Sequence, residues 1–128
     1  MRLLLDSCTF LWLALDPGKL SPLAVEFIND DSHELLLSHV SLWEITLKHT
    51  AGKLCLPSPP ATWLPTRREF HGLIPLPIGE AEILLTANLP LLHADPFDRL
   101  LAAQALHHDL TILSPDQPLS QLGARRVW

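Results

Sequence analysis

Three apolar runs, residues 1–5, 34–37 and 110–113, constrain this chain more than any other feature. Each is too short for a helix of ordinary length and is rich in leucine, the pattern of a strand buried on both faces. Stretches of helical length lie between them. Ser21-Pro22 and Asp95-Pro96 each set an N-cap before a proline at the first helical position. Helices are expected over 9–15, 22–29, 41–51, 61–70, 79–87 and 97–107, with Asp16-Pro17-Gly18 and Gly52 as stops. Two weaker strands follow, 73–76, which Pro75 confines to an edge, and the tail 125–128. Strands alternating with helices predict one three-layer α/β/α domain over 1–128, built on a mostly parallel sheet.

Hydrophobic residues make up 48% and charged residues 18%, enough for a core and unlike a disordered chain. Nine basic against fourteen acidic residues give a net charge of -5, which excludes a general basic coat for nucleic acid. Contact with phosphate then needs a local basic patch or a bound cation. Cys8 and Cys55 form no C-x-x-C pair and read as small apolar fillers of a reduced protein. Asp6 interrupts the apolar start, no small-x-small cleavage site follows, and no run reaches the length of a membrane span. A soluble, cytoplasmic protein is expected.

The chemistry lies in the acids. Asp6 ends the first strand, Asp116 lies just past the run 110–113, and Glu44 and Asp98 each fall in the first turn of an expected helix. In an open parallel sheet, strand ends and helix N-termini share one edge, where ligands bind. Four carboxylates far apart in sequence can therefore converge there. Converged carboxylates repel, and a hard divalent cation such as Mg²⁺ or Mn²⁺ neutralises them. Such a site suits metal-assisted phosphodiester hydrolysis.

Each acid also has an ordinary reading. Ser41-Leu42-Trp43-Glu44 is a capping-box pattern, and Glu44 can pair with Lys48 one turn on. Asp95 reads as a cap, Asp98 as an acid that favours the helix dipole, and Asp116 as a turn residue in Ser-Pro-Asp. Asp6, a carboxylate beside the core, needs a partner or a function.

The stretches Leu3-Leu4-Leu5-Asp6-Ser7, Ser41-Leu42-Trp43-Glu44-Ile45 with Lys48, Gly52-Lys53-Leu54, and His93-Ala94-Asp95-Pro96-Phe97-Asp98-Arg99-Leu100-Leu101-Ala102-Ala103-Gln104-Ala105 together resemble the PIN-domain family. Within it the likeness is to VapC-type toxins of bacterial type II toxin–antitoxin modules, and it extends to the Leu113-Ser114-Pro115-Asp116 ending. The resemblance implies a Mg²⁺-dependent endoribonuclease (Mn²⁺ as the other ion) whose acidic site uses Asp6, Glu44, Asp98 and Asp116. Asp6 and Asp98 would be direct metal ligands. Ser7, Asp95, Arg99 and Ser114 flank these acids and are expected to position ligands or substrate. The resemblance also implies an RNA substrate, a homodimer and a VapB-like antitoxin. Ser7 stands where the family commonly has threonine, Cys8 where histidine is frequent, and Leu122 where an aromatic residue is common; no acid is missing.

Arg99 is expected to neutralise the acids, with phosphate contact as its other reading. His93 is read as a packing or capping residue or as a substrate contact. None of the seven histidines shows H-x-x-x-H or H-E-x-x-H spacing, so zinc is not expected. Lys48, Lys53, Arg67 and Arg68 read as solvated surface or as guides for RNA. A phospho-accepting receiver domain would need a second acid beside Asp6 and a lysine after Leu113, and has neither. Nucleotide-binding glycine motifs are absent. The remaining alternative is a non-catalytic PIN-like module that binds RNA or protein.

Overall fold

The N-terminal leucine run forms the centre of the sheet. In the computed structural model, which describes residues 1–128, β1 (Arg2–Leu5) pairs in parallel with β2 (Glu34–Ser38) and β4 (Thr111–Leu113). β3 (Ile74–Leu76) extends the sheet beyond β2, and β5 (Arg125–Val127) beyond β4. The order is β3-β2-β1-β4-β5, wholly parallel, and Pro75 lies on an edge strand as its missing N–H requires.

Successive strand residues face opposite layers. Leu4, Leu36 and Ile112 join one core with Leu101, Ala102, Ala103 and Ala105 of the helix α6 (Pro96–His107), and with Leu119 of α7 (Pro118–Gln121). Leu5, Leu37 and Leu113 face the other core, with Phe10 of α1 (Ser7–Leu15), Ala24 of α2 (Pro22–Asn29), Ile45 of α3 (His39–Thr50) and Trp63 of α4 (Pro60–Phe70). Phe10 is fully buried and meets Trp63 edge-on, ring centroids 6.0 Å apart. The expected three layers are therefore present. Full burial of each such leucine contributes about 1.5–3 kcal/mol.

Boundaries differ from expectation where tertiary contacts outweigh local pattern. α1 begins at Ser7, two residues before the expected start, because Asp6 accepts the Thr9 amide and caps it. The expected helix 79–87 divides into α5 (Glu80–Leu85) and a 3-10 turn, Thr86–Asn88. Gly79 precedes α5 because its amide meets the buried Glu82 carboxylate so closely that a Cβ would collide with it. The short turn Pro17–Lys19 and the helix α7 are additions to the expected elements. No helix is long and apolar enough to cross a membrane.

The start of α3 is the larger correction. Its N-cap is Ser38, whose Oγ accepts from the Val40 amide (3.0 Å) and donates to Gln104 Oε1. Ser41 lies inside the first turn, buried, with its hydroxyl unpaired. The capping-box reading of Ser41 and Glu44 is thus overturned, and Glu44 sits in the second turn rather than the first. Ser38→Ala should cost about 1–3 kcal/mol, since it removes a cap and strands the Gln104 carbonyl. Ser41→Ala should change stability by less than about 0.5 kcal/mol or raise it. Urea denaturation of the two variants measures both; the reverse ranking would restore Ser41 as the cap.

Candidate active site

The carboxyl ends of β1 and β4 adjoin, and the chain departs from them in opposite directions, which opens a crevice at that edge. Asp6 stands there, 5% exposed. Its Oδ1 accepts from the Thr9 amide (2.8 Å) and its Oδ2 from Ser114 Oγ (2.5 Å). Ser114 in turn accepts from the Asp116 amide (2.9 Å), so one hydroxyl joins the two acid-bearing strand ends. α3 presents Glu44 between Ser7 Oγ, which donates to Oε1 (2.5 Å), and Lys48 Nζ, which donates to Oε2 (3.0 Å). At the start of α6, Asp95 Oδ1 caps the Phe97 and Asp98 amides (2.9 and 3.3 Å). Asp98 Oδ2 meets His93 Nε2 at 2.7 Å.

Asp6, Glu44, Asp95, Asp98 and Asp116 line one cleft of about 220 Å³. Lys48 is the one basic side chain among the residues lining it. Burial raises the Asp6 carboxyl above its usual range; hydrogen bonds from Ser114 and Thr9 oppose this, and the Asp116 charge adds to it. Burial also raises Asp98, against the His93 hydrogen bond and with the charges of Asp95 and Glu44. For Lys48, burial acts downward, but the hydrogen bond and charge of Glu44, aided by Asp95 and Asp98, carry the ammonium upward. Burial and then the charges of Asp6 and Asp116 push the neighbouring Cys8 thiol up to about 12, which leaves it unreactive.

The structure thus brings Asp6, Glu44, Asp98 and Asp116 to one cleft, with Ser7, Ser114 and Asp95 bonded to or beside them. Arg99 departs from expectation. Its guanidinium donates to the carbonyls of Pro90, His93, Thr86 and Leu89 (2.6–3.3 Å), so it braces the loop before α6 rather than neutralising the acids. His93 is the contact that sequence reasoning leaves undecided, although the H-x-D-x-x-D spacing of His93, Asp95 and Asp98 is a signal for it. A surplus of oxygen donors, two of them raised by burial, fits a hard divalent ion.

The PIN-domain family model matches residues 3–124. The chain belongs to the PIN-domain family. It is 28% identical over 119 residues to Ribonuclease VapC22 of Mycobacterium tuberculosis, covering 91% of this chain and 88% of that protein. Among solved structures, VapBC2 of Rickettsia felis bound to a promoter DNA fragment superposes with a TM-score of 0.75 at 12% identity, covering 99% of this chain and 98% of that one. DNA-bound VapBC of Salmonella typhimurium gives 0.71 at 18% identity, covering 99% and 97%. These two likenesses are of fold.

The raised Asp6 carboxyl of this PIN domain has a measurable sign. The folded state holds that proton more tightly than the unfolded chain, so the stabilisation is complete below the unfolded value near ~4 and is lost as pH rises through the higher folded value. Asp6→Asn keeps a capping oxygen for α1 while removing the charge. In metal-free buffer it should melt higher than wild type at neutral pH, and the gap should shrink on acidification. Thermal melts across that range check this; an equal or lower Asn melting temperature at neutral pH would refute the cost assigned to burying the charged Asp6.

Proposed function

We propose that this PIN domain is a divalent-metal-dependent endoribonuclease, the toxin of a bacterial toxin–antitoxin module. The observation that carries the reading is the cleft in which five carboxylates face a single ammonium. Similarity to a protein named Ribonuclease VapC22 supports RNA as the substrate, and the VapBC complexes among its structural neighbours support a VapB-like antitoxin. Exposed Leu91, Leu92, Leu84 and Ile83 offer apolar surface suited to protein partners, including a second copy in a homodimer. The proposed setting is the cytoplasm.

Bound Mg²⁺ or Mn²⁺ would supply Lewis acidity, lowering the pKa of a water and drawing charge from the phosphate. Asp6 and Asp98 supply carboxylates for the ion. The Thr9 amide and Ser114 hydroxyl hold Asp6 in place, and the Asp95 cap anchors the turn that carries Asp98. Glu44, fixed by Ser7 and Lys48, orients the attacking water, while Asp116 lies on the cleft wall beyond Asp6. Lys48 is half-exposed and adds positive charge for the RNA backbone. Water oxygen bonds to phosphorus, the bond to the 3′ oxygen breaks, and that oxygen takes a proton. The products carry a 5′-phosphate and a 3′-hydroxyl.

A purely binding role gives no reason to gather five acids around the single ammonium of Lys48. Purified protein should cleave structured RNA with Mg²⁺ or Mn²⁺, and chelation should stop it. Asp98→Ala and Asp6→Asn should each lower the rate about 100-fold or more while the protein remains folded. End-labelling identifies the termini. Cyclic phosphates, or unchanged cleavage by both variants, would refute this mechanism.

A further inference from the structure

Three donors of two chemical kinds meet beside the N-terminus of α6. A ring nitrogen of His93, a carboxylate oxygen of Asp95 and one of Asp98 all lie within 4.8 Å of one another, and His93 Nε2 stands 2.7 Å from Asp98 Oδ2. Opposite donors on an octahedral ion with bonds of about 2.1 Å stand about 4.2 Å apart, so small side-chain rotations bring all three onto one ion. The group is braced from outside. Arg99 holds the His93 carbonyl (3.0 Å) and three others of the same loop, and the Phe97 and Asp98 amides fix Asp95 through Oδ1. No arginine or lysine forms an ion pair with Asp98, whose partner is His93. A separate observation points to a ligand in the cleft that Asp95 and Asp98 line: Ser41, 1% exposed, lines it too, with an unpaired hydroxyl. Buried polar groups of this kind are ordinarily satisfied by a partner or an ordered water.

We propose that His93 is a direct ligand of the site's divalent ion, forming with Asp95 and Asp98 a nitrogen-containing site that favours Mn²⁺ over Mg²⁺. This rests on the nuclease reading for an ion taking carboxylates of Asp6 and Asp98, and goes beyond it in adding His93 and Asp95 as ligands and in the selectivity. Carboxylates serve both ions. An imidazole does not: Mg²⁺ keeps to oxygen and sheds its waters reluctantly, whereas transition ions accept nitrogen. The ring binds through Nε2 with its single proton on Nδ1, giving up the present hydrogen bond to Asp98.

The test uses the full chain, with Mn²⁺ as the probe, in wild type, His93→Asn and His93→Gln, each checked for folding by thermal melting. Pulsed electron paramagnetic resonance on bound Mn²⁺ should show the nitrogen coupling of a coordinated imidazole in wild type and not in the variants. The Mn²⁺ dissociation constant should rise about tenfold or more in the variants, with Mg²⁺ affinity, measured by competition, much less affected. Bound Mn²⁺ without nitrogen coupling, or coupling that persists in both variants, would overturn the assignment. If wild type still cleaves RNA in that case, the nuclease reading stands and only the His93 ligand falls. Failure of wild type to bind Mn²⁺ would overturn both.

Discussion

Burial of carboxylates at the carboxyl edge of the sheet is the constraint on which the rest of this structure turns. A parallel sheet delivers every strand end to the same edge, and here those ends and the following helices carry Asp6, Glu44, Asp95, Asp98 and Asp116. Lys48, paired with Glu44, is the one basic side chain lining the cleft, and it leaves most of this charge uncancelled. Arg2 pairs with Glu34 at the opposite end of the strands, Arg125 with Asp109, and Arg99 is spent on carbonyls. Burial then raises Asp6 and Asp98. Charge held in this way is a ready seat for a cation.

Holding the acids in place requires polar bonds between elements. Thr9 Oγ1 donates to the Leu113 carbonyl (2.9 Å), tying α1 to β4, and Ser7 ties α1 to Glu44 on α3. Gln104 of α6 meets Ser38 at the cap of α3 and donates to the Pro77 carbonyl (3.1 Å). The helices that carry Glu44 and Asp98 are therefore joined through a buried pair. Glu82, buried beside Gln104, meets His108 Nε2 at 2.6 Å; burial acts to raise its carboxyl, but the bonds from His108 and the Gly79 amide prevail and lower it. Fully satisfied buried networks of this kind rigidify what they join.

Particular residues show where the sequence was readable. Asp95-Pro96 announced the start of α6 correctly because a cap and the proline after it act locally. Ser41 misled for the opposite reason. Its spacing to Glu44 satisfies a local rule, yet β2 continues to Ser38, in register with Leu76, and Gln104 from 66 residues away fixes the cap there. Arg99 misled likewise: its place beside Asp98 suggested neutralisation, but the loop carbonyls it meets have no sequence signature.

The chain's leucine runs, caps and acids by themselves determined the layered α/β fold, the parallel sheet and the set of carboxylates, because strand burial and helix capping depend on neighbours a few residues apart. Tertiary structure alone decided which serine caps α3, that Arg99 turns away from the acids, and that His93 reaches Asp98. The first depends on Gln104, 66 residues away, and the other two on which way side chains turn around the loop before α6, which spacing along the chain does not by itself fix.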